Sequence, residues 1–238
     1  MESQRDLFEM ESFTKEIKRF NRLLTINNPL PDGVEVLNPF RNDERVLQWS
    51  DAFYDRFYSD LNPRRLILGI NPGRLGAGQT GIPFTDTKRL LEYFNLGTAD
   101  DQTHETSSAF FYRLIDALGG VELFYKSFLV SSISPLGFVM NNNGKQVNLN
   151  YYDSPTLQSA VTPFIIDSME IQLSWPIDRS AVFCLGTGKN VKFLNELNSK
   201  HHWFKRIIPL EHPRYIMQYK SRQVESYIAK YAQALSAS

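Results

Sequence analysis

RLILGI, residues 65–70, runs directly into NPGRLGAGQTGIPFTD, residues 71–86, and this pair of segments decides how the rest of the chain is read. The first is a near-continuous apolar run of strand length. The second, counted from Gly69, places five glycines and two prolines within residues 69–86. A strand that is apolar without alternation is covered on both faces, which is the habit of parallel sheets packed between helices. Three further runs read the same way: Phe128 to Ile133, Ala181 to Leu185 and Arg206 to Leu210. Helical patterns separate them. SSAFFYRLIDAL, residues 107–118, has Thr106 or a serine as amino cap and Gly119-Gly120 as its stop, and SRQVESYIAKYAQAL, residues 221–235, gathers Val224, Tyr227, Ile228 and Tyr231 on one side. The expected fold is a three-layer α/β/α sandwich around a four-stranded parallel sheet. In such sheets ligands bind beyond the carboxyl ends of the strands.

Upstream, Leu7, Met10, Phe13, Ile17, Phe20 and Leu24 follow a three-and-four spacing that predicts a helix with one apolar face. NNPLPDGVEVLNPF, residues 27–40, reads as a loop, and ERVLQWSDAFYDRFY, residues 44–58, as a second helix that buries Val46, Trp49, Phe53 and Phe57. Residues 139–157, with NNNGKQ and NYYDSP, read as a hairpin or a long loop. The expectation is one domain over residues 1–238, with residues 1–62 as a helical amino-terminal extension.

The composition is that of an ordinary globular chain: 238 residues, 42% hydrophobic, with 26 basic and 26 acidic side chains. It excludes disordered, collagen-like and disulfide-framework classes. The single cysteine, Cys184, cannot build a thiolate zinc site or ligate an iron–sulfur cluster, so no metal and no cofactor are expected. No apolar run approaches the ~18 residues of a membrane span, and the acidic start MESQRDLFEMES is not a signal peptide, which predicts a cytoplasmic protein without a membrane partner. Zero net charge argues against nucleic acid. The charge is nevertheless uneven: residues 1–62 carry 8 basic and 12 acidic side chains, residues 188–222 carry 8 and 2.

Three strand exits carry polar residues. Asn71 stands at the mouth of the first strand, held by Pro72. The glycines that follow are spaced Gly73-x-x-Gly76-x-Gly78, which is not the dinucleotide fingerprint. LGTGKN, residues 185–190, lacks the glycine and the hydroxyl of a phosphate-binding loop, having Phe183 and Asn190 in those places, so it reads as a strand-to-helix turn with Lys189 available to a phosphate. His212 stands where the chain leaves the fourth strand, and a parallel sheet would bring it to the same edge as Asn71. His104, His201 and His202 read as surface or capping residues. Asp86 reads as an exposed loop carboxylate, with a supporting role at the site as the other possibility.

GINPGRLGAGQTGIPF, SSISPLGF and EHPRYIMQYK together resemble the uracil-DNA glycosylase superfamily, in particular the bacterial subgroup of its single-strand-selective monofunctional branch. The likeness runs from Pro63 to Tyr219. It implies a monofunctional DNA glycosylase that flips a deaminated base out of DNA and hydrolyses its N-glycosidic bond at the start of base excision repair. Asn71 would position the attacking water and His212 would hydrogen-bond the departing base. Gly69, Ile70, Gly73, Phe84 and Ser132 would surround that base, with Phe84 as the stacking ring. Lys189 and the segment with Arg214, Tyr215, Met217, Gln218 and Tyr219 would meet the DNA. Two departures stand out. Ser132 replaces an asparagine that reads the base edge in animal members, which opens the selectivity towards xanthine or hypoxanthine. Arg214 and Tyr215 follow His212-Pro213 in place of small loop residues, which suits phosphate contact or a wedge. The expected partner is DNA, single- or double-stranded, and the expected state a monomer. A DNA-binding module without turnover, or an enzyme binding free nucleotides or phosphate, are the alternative functions.

Overall fold

The computed structural model describes residues 12–100 and 102–236. The chain opens with helix α1 (Phe13–Leu23), strand β1 (Val34–Leu37), the single turn α2 (Pro39–Asn42) and helix α3 (Glu44–Phe57). Strand β2 (Arg64–Gly69) leads into the glycine-rich loop, which contains the short helix α4 (Ala77–Thr80). Helices α5 (Thr87–Phe94), α6 (Thr106–Ala117) and α7 (Val121–Ser127) follow. Next come β3 (Phe128–Ser132), β4 (Gly137–Asn142), β5 (Lys145–Leu149), α8 (Pro155–Leu173), β6 (Ile177–Leu185) and α9 (Lys189–His201). The last elements are β7 (Ile207–Leu210), α10 (Pro213–Tyr219) and α11 (Val224–Ser236).

Four strands form a parallel sheet in the order β3-β2-β6-β7, with helices on both sides, as the apolar runs required. Leu66, Ile67 and Leu68 of β2 and Val182 to Leu185 of β6 are buried without alternation, which accounts for their unbroken hydrophobicity. The registers pair Gly69 with Ser132 and Leu185 with Leu210, so the carboxyl ends of all four strands open on one edge. Arg64 anchors the start of β2. Its guanidinium is buried, donating to the carbonyls of Phe57, Asn62 and Tyr125 and pairing with Asp60 at 2.9 Å, so every arm of the charge is met.

The amino-terminal region is helical, as expected, but not only helical. Residues 27–40 were expected to be a loop, yet β1 lies within them and joins a second, antiparallel sheet in the order β1-β4-β5. Leu37 pairs with Gly137 and Val34 with Met140, partners about a hundred positions away that no local pattern reveals. The hairpin expected in residues 139–157 is β4–β5, closed by Asn143 and Gly144, both at positive φ. Residues 155–157 belong to α8, capped by Ser154 Oγ, which accepts from Leu157 N at 3.1 Å.

Phe13, Ile17, Phe20 and Leu24 are buried as the spacing predicted; Leu7 and Met10 lie outside the described residues. Val46, Phe53 and Phe57 of α3 join the core, while Trp49 is half-buried. The cap of α6 is Glu105, not Thr106 or a serine, and its side chain makes no capping bond. The helix therefore begins with a hydroxyl-rich turn inside it.

Candidate active site

The strand exits enclose a cavity of about 230 Å³ lined by Asn71, Phe84, Ser132 and His212 among others. β2 and β7, which deliver Asn71 and His212, are separated by β6, so the two exits stand about 10 Å apart. That gap admits a flat ring. A larger cleft of about 430 Å³ lies between α1 and α8, but Leu23, Phe164 and Ile171 line it with no histidine and no residue in common with the strand-end cavity.

Asn71 is held by the second sheet. Its Nδ2 donates to Leu149 O at 3.1 Å and its Oδ1 accepts from Tyr151 N at 3.0 Å. Tyr151 is held in turn, its hydroxyl donating to Asn190 Oδ1 at 2.8 Å, and Asn190 Nδ2 donates to Leu185 O at 3.0 Å and Gly69 O at 3.4 Å. The buried Asn190 thus ties the ends of β2 and β6 to the residue that clamps Asn71. Asn71 Oδ1 keeps one acceptor position.

Phe84 has φ of +53°, a left-handed backbone uncommon outside glycine and a recurrent mark of functional loops. The ring stacks on Phe111 of α6 with centroids 4.7 Å apart and planes inclined by 16°. A Cβ at position 69 would lie 2.9 Å from the Phe84 ring and 3.2 Å from Ser132 Oγ, so glycine at the end of β2 is what lets these two close on one another. Ser131 points the other way and donates to Gln172 Oε1, leaving Ser132 to face the cavity.

His212 caps α10, its Nδ1 accepting from Arg214 N at 3.1 Å. Burial, aided by the Arg214 guanidinium, pushes its pKa down to about 3. The ring is therefore neutral at physiological pH, and with Nδ1 occupied as an acceptor the proton resides on Nε2. A neutral donor results, tilted against Phe84 with centroids 5.9 Å apart.

Glu105 escaped the sequence reading. It lines the cavity, lies 3.5 Å from Arg214 Nη2 and accepts from Ser108 Oγ at 3.4 Å. Burial raises its carboxyl above the usual range, with Arg214 opposing. A Cβ at position 76 would fall 2.0 Å from Glu105 Oε2, so the carboxylate fits against the loop only because Gly76 has no side chain. Asp86, expected to be exposed, is fully buried. It caps α5, accepting from Arg89 N at 2.9 Å, and also from Glu105 N at 2.7 Å, which makes it a support of the site. The signal was present: an aspartate directly before Thr87-Lys-Arg-Leu-Leu is a helix-cap pattern.

Of the remaining expected residues, Ile70, Gly73, Arg214, Tyr215, Gln218 and Tyr219 line the same cavity. Gly69 lies directly behind Phe84 and Ser132. Tyr215 and Tyr219 are exposed at its rim, with ring centroids 5.5 Å apart. Met217 does not line the cavity; it packs against the core from the inner face of α10. Lys189 stands apart, over the Tyr152 ring at 5.8 Å, beside Lys192 in a neighbouring cleft. His104, His201 and His202 are exposed.

The chain matches the model of the uracil DNA glycosylase superfamily over residues 56–236. It is also similar to wild-type SMUG2 of Pedobacter heparinus, whose crystal structure it matches with a TM-score of 0.93 and 48% sequence identity, over 96% of this chain and 98% of that one. At that identity across nearly the whole of both chains, the likeness of the loops is one of descent, and the chain belongs to the uracil DNA glycosylase superfamily.

Proposed function

We propose that this monofunctional uracil-DNA glycosylase of base excision repair works chiefly by stabilising the departing base, with Asn71 and His212 as its catalytic residues. The neutral His212, with its proton on Nε2, carries the proposal. A base inside a duplex must first leave the stack, at a cost of a few kcal/mol, and Phe84 offsets part of it with stacking of about 1–3 kcal/mol. As the bond from C1′ to the base nitrogen breaks, its electron pair goes to the base while positive charge grows on the sugar. His212 Nε2–H then meets the negative charge without having to give up its proton. Water adds to C1′, its surplus proton passing through solvent to the departed base anion, and the remaining acceptor position of Asn71 Oδ1 is suited to orienting it. Because an amide is a poor base, little of the acceleration comes from water activation.

Ser132 supports a base range wider than uracil. A hydroxyl donates or accepts, so it does not reject hypoxanthine or xanthine as a fixed amide pair would. Arg214, Tyr215, Gln218 and Tyr219 form the DNA-facing rim, and the protein acts as a monomer. The test uses purified protein with end-labelled single- and double-stranded oligonucleotides carrying uracil, hypoxanthine or xanthine, followed by alkaline cleavage of abasic sites. Excision of uracil with measurable removal of the two purines is expected. Strict confinement to uracil would refute the reading of Ser132, and binding without any abasic product would refute turnover altogether.

A further inference from the structure

Among the described residues, the buried side-chain polar atoms without a hydrogen-bond partner are Ser107 Oγ, Tyr125 Oη and Trp175 Nε1. Trp175 packs among Phe13 and Phe20, and Tyr125 among Phe53, Phe57 and Phe124. Of the three, only Ser107 lines the strand-end cavity. A buried hydroxyl without a partner has lost its water and gained nothing in exchange, so in a folded protein it needs a reason.

Its position supplies one. Ser107 is 2% exposed, in the first turn of α6. Phe111, four residues on and so on the same helical face, is the ring beneath Phe84. Ser107 is thereby stationed one helical turn along from the aromatic platform, in the cavity shared with His212 and Ser132. Its neighbour Ser108 is equally buried but spends its hydroxyl on Glu105.

Resting on the glycosylase reading above, we propose that Ser107 is a contact residue for the excised base: its hydroxyl bonds a polar atom on the edge of the base stacked on Phe84 and helps to set which bases are removed. With Ser132 at the end of β3, the base is then read by hydroxyls from two elements. Each can donate or accept, which favours tolerance of bases that differ in edge chemistry.

Ser107→Ala separates a functional hydroxyl from a structural one by opposite signs. Removing an unpaired buried hydroxyl leaves the melting temperature unchanged or raises it. Single-turnover excision, measured on oligonucleotides with uracil, hypoxanthine or xanthine, should fall about tenfold or more on at least one base and shift the ratio between bases. Rates within threefold of wild type on every base that the wild type excises would overturn the proposal. So would a melting temperature several degrees lower, since the hydroxyl would then have a structural partner. Failure of the wild type to excise any base is a separate result, which would bring down the glycosylase reading itself.

Discussion

The exits of β2 and β7 deliver Asn71 and His212, the two proposed catalytic residues, by opposite means. His212 is fixed locally: its ring nitrogen accepts from Arg214 N two residues on, and Pro213 starts the helix that it caps. Asn71 is fixed from a distance, by Leu149 O and Tyr151 N, which are 78 and 80 positions away. One side of the site is thus built from a single short segment, and the other depends on the hairpin, on Asn190 and on the second sheet. Damage remote from the cavity should therefore reach Asn71 and spare His212.

The largest expected effects test whether the two exits are equal in chemistry. His212→Ala and Asn71→Ala should each lower single-turnover excision of uracil by about 10²-fold or more, in folded proteins, the first by removing a transition-state donor and the second by leaving the attacking water misplaced. Wild-type rates in either variant would break the comparison at its root. Asn190→Ala comes next. It deletes no cavity-lining group but strips partners from Tyr151 Oη, Gly69 O and Leu185 O, at a cost of about 1–3 kcal/mol in stability. A fall of about tenfold in kcat with KM little changed is expected, and thermal melting read beside kinetics would show whether Asn71 really depends on this chain of bonds.

A pH experiment sharpens the His212 side. Its folded pKa, about 3, lies below the ordinary value of 6.5, so between those limits the unfolded chain binds the proton that the folded one refuses. That contribution to stability is complete above about pH 6.5 and is lost as the pH falls towards 3, and chemical denaturation of wild type against His212→Gln should show the difference in slope. The rate profile should correspondingly lack an acid limb near pH 6.5. The smallest effect concerns the rim: Arg214→Ala should reduce the slope of log affinity against log salt by about 1. An unchanged slope would remove Arg214 from phosphate contact and leave it as a partner of Glu105 alone.

What was legible in the sequence follows the same division. The parallel strands announced themselves because burial on both faces leaves no room for polar alternation in Leu66 to Leu68 or Val182 to Leu185. β6 begins at Ile177, and its first part lay outside the apolar run because Arg179 and Ser180 are polar and exposed. β1 stayed hidden because Val-Glu-Val-Leu makes sense only against residues 137–140. At the site, Asn71, Phe84 and His212 stood out through loop motifs, whereas Glu105, Tyr151 and Asn190 act through bonds to segments far away in the chain. Asn190 in particular had served only to rule out a phosphate-binding loop.

The ladder from β1 through β4 to β5 also bears on how the protein can be cut. The stretch shared with the superfamily starts at residue 56, beyond β1. A polypeptide begun there would retain all four parallel strands yet strip the outer partner from β4, leaving a row of unpaired amides and carbonyls along a hydrophobic edge. Such edges recruit other chains. Trimming to the shared stretch would therefore leave a chain inclined to aggregate, and the first symptom would be turbidity rather than slow kinetics.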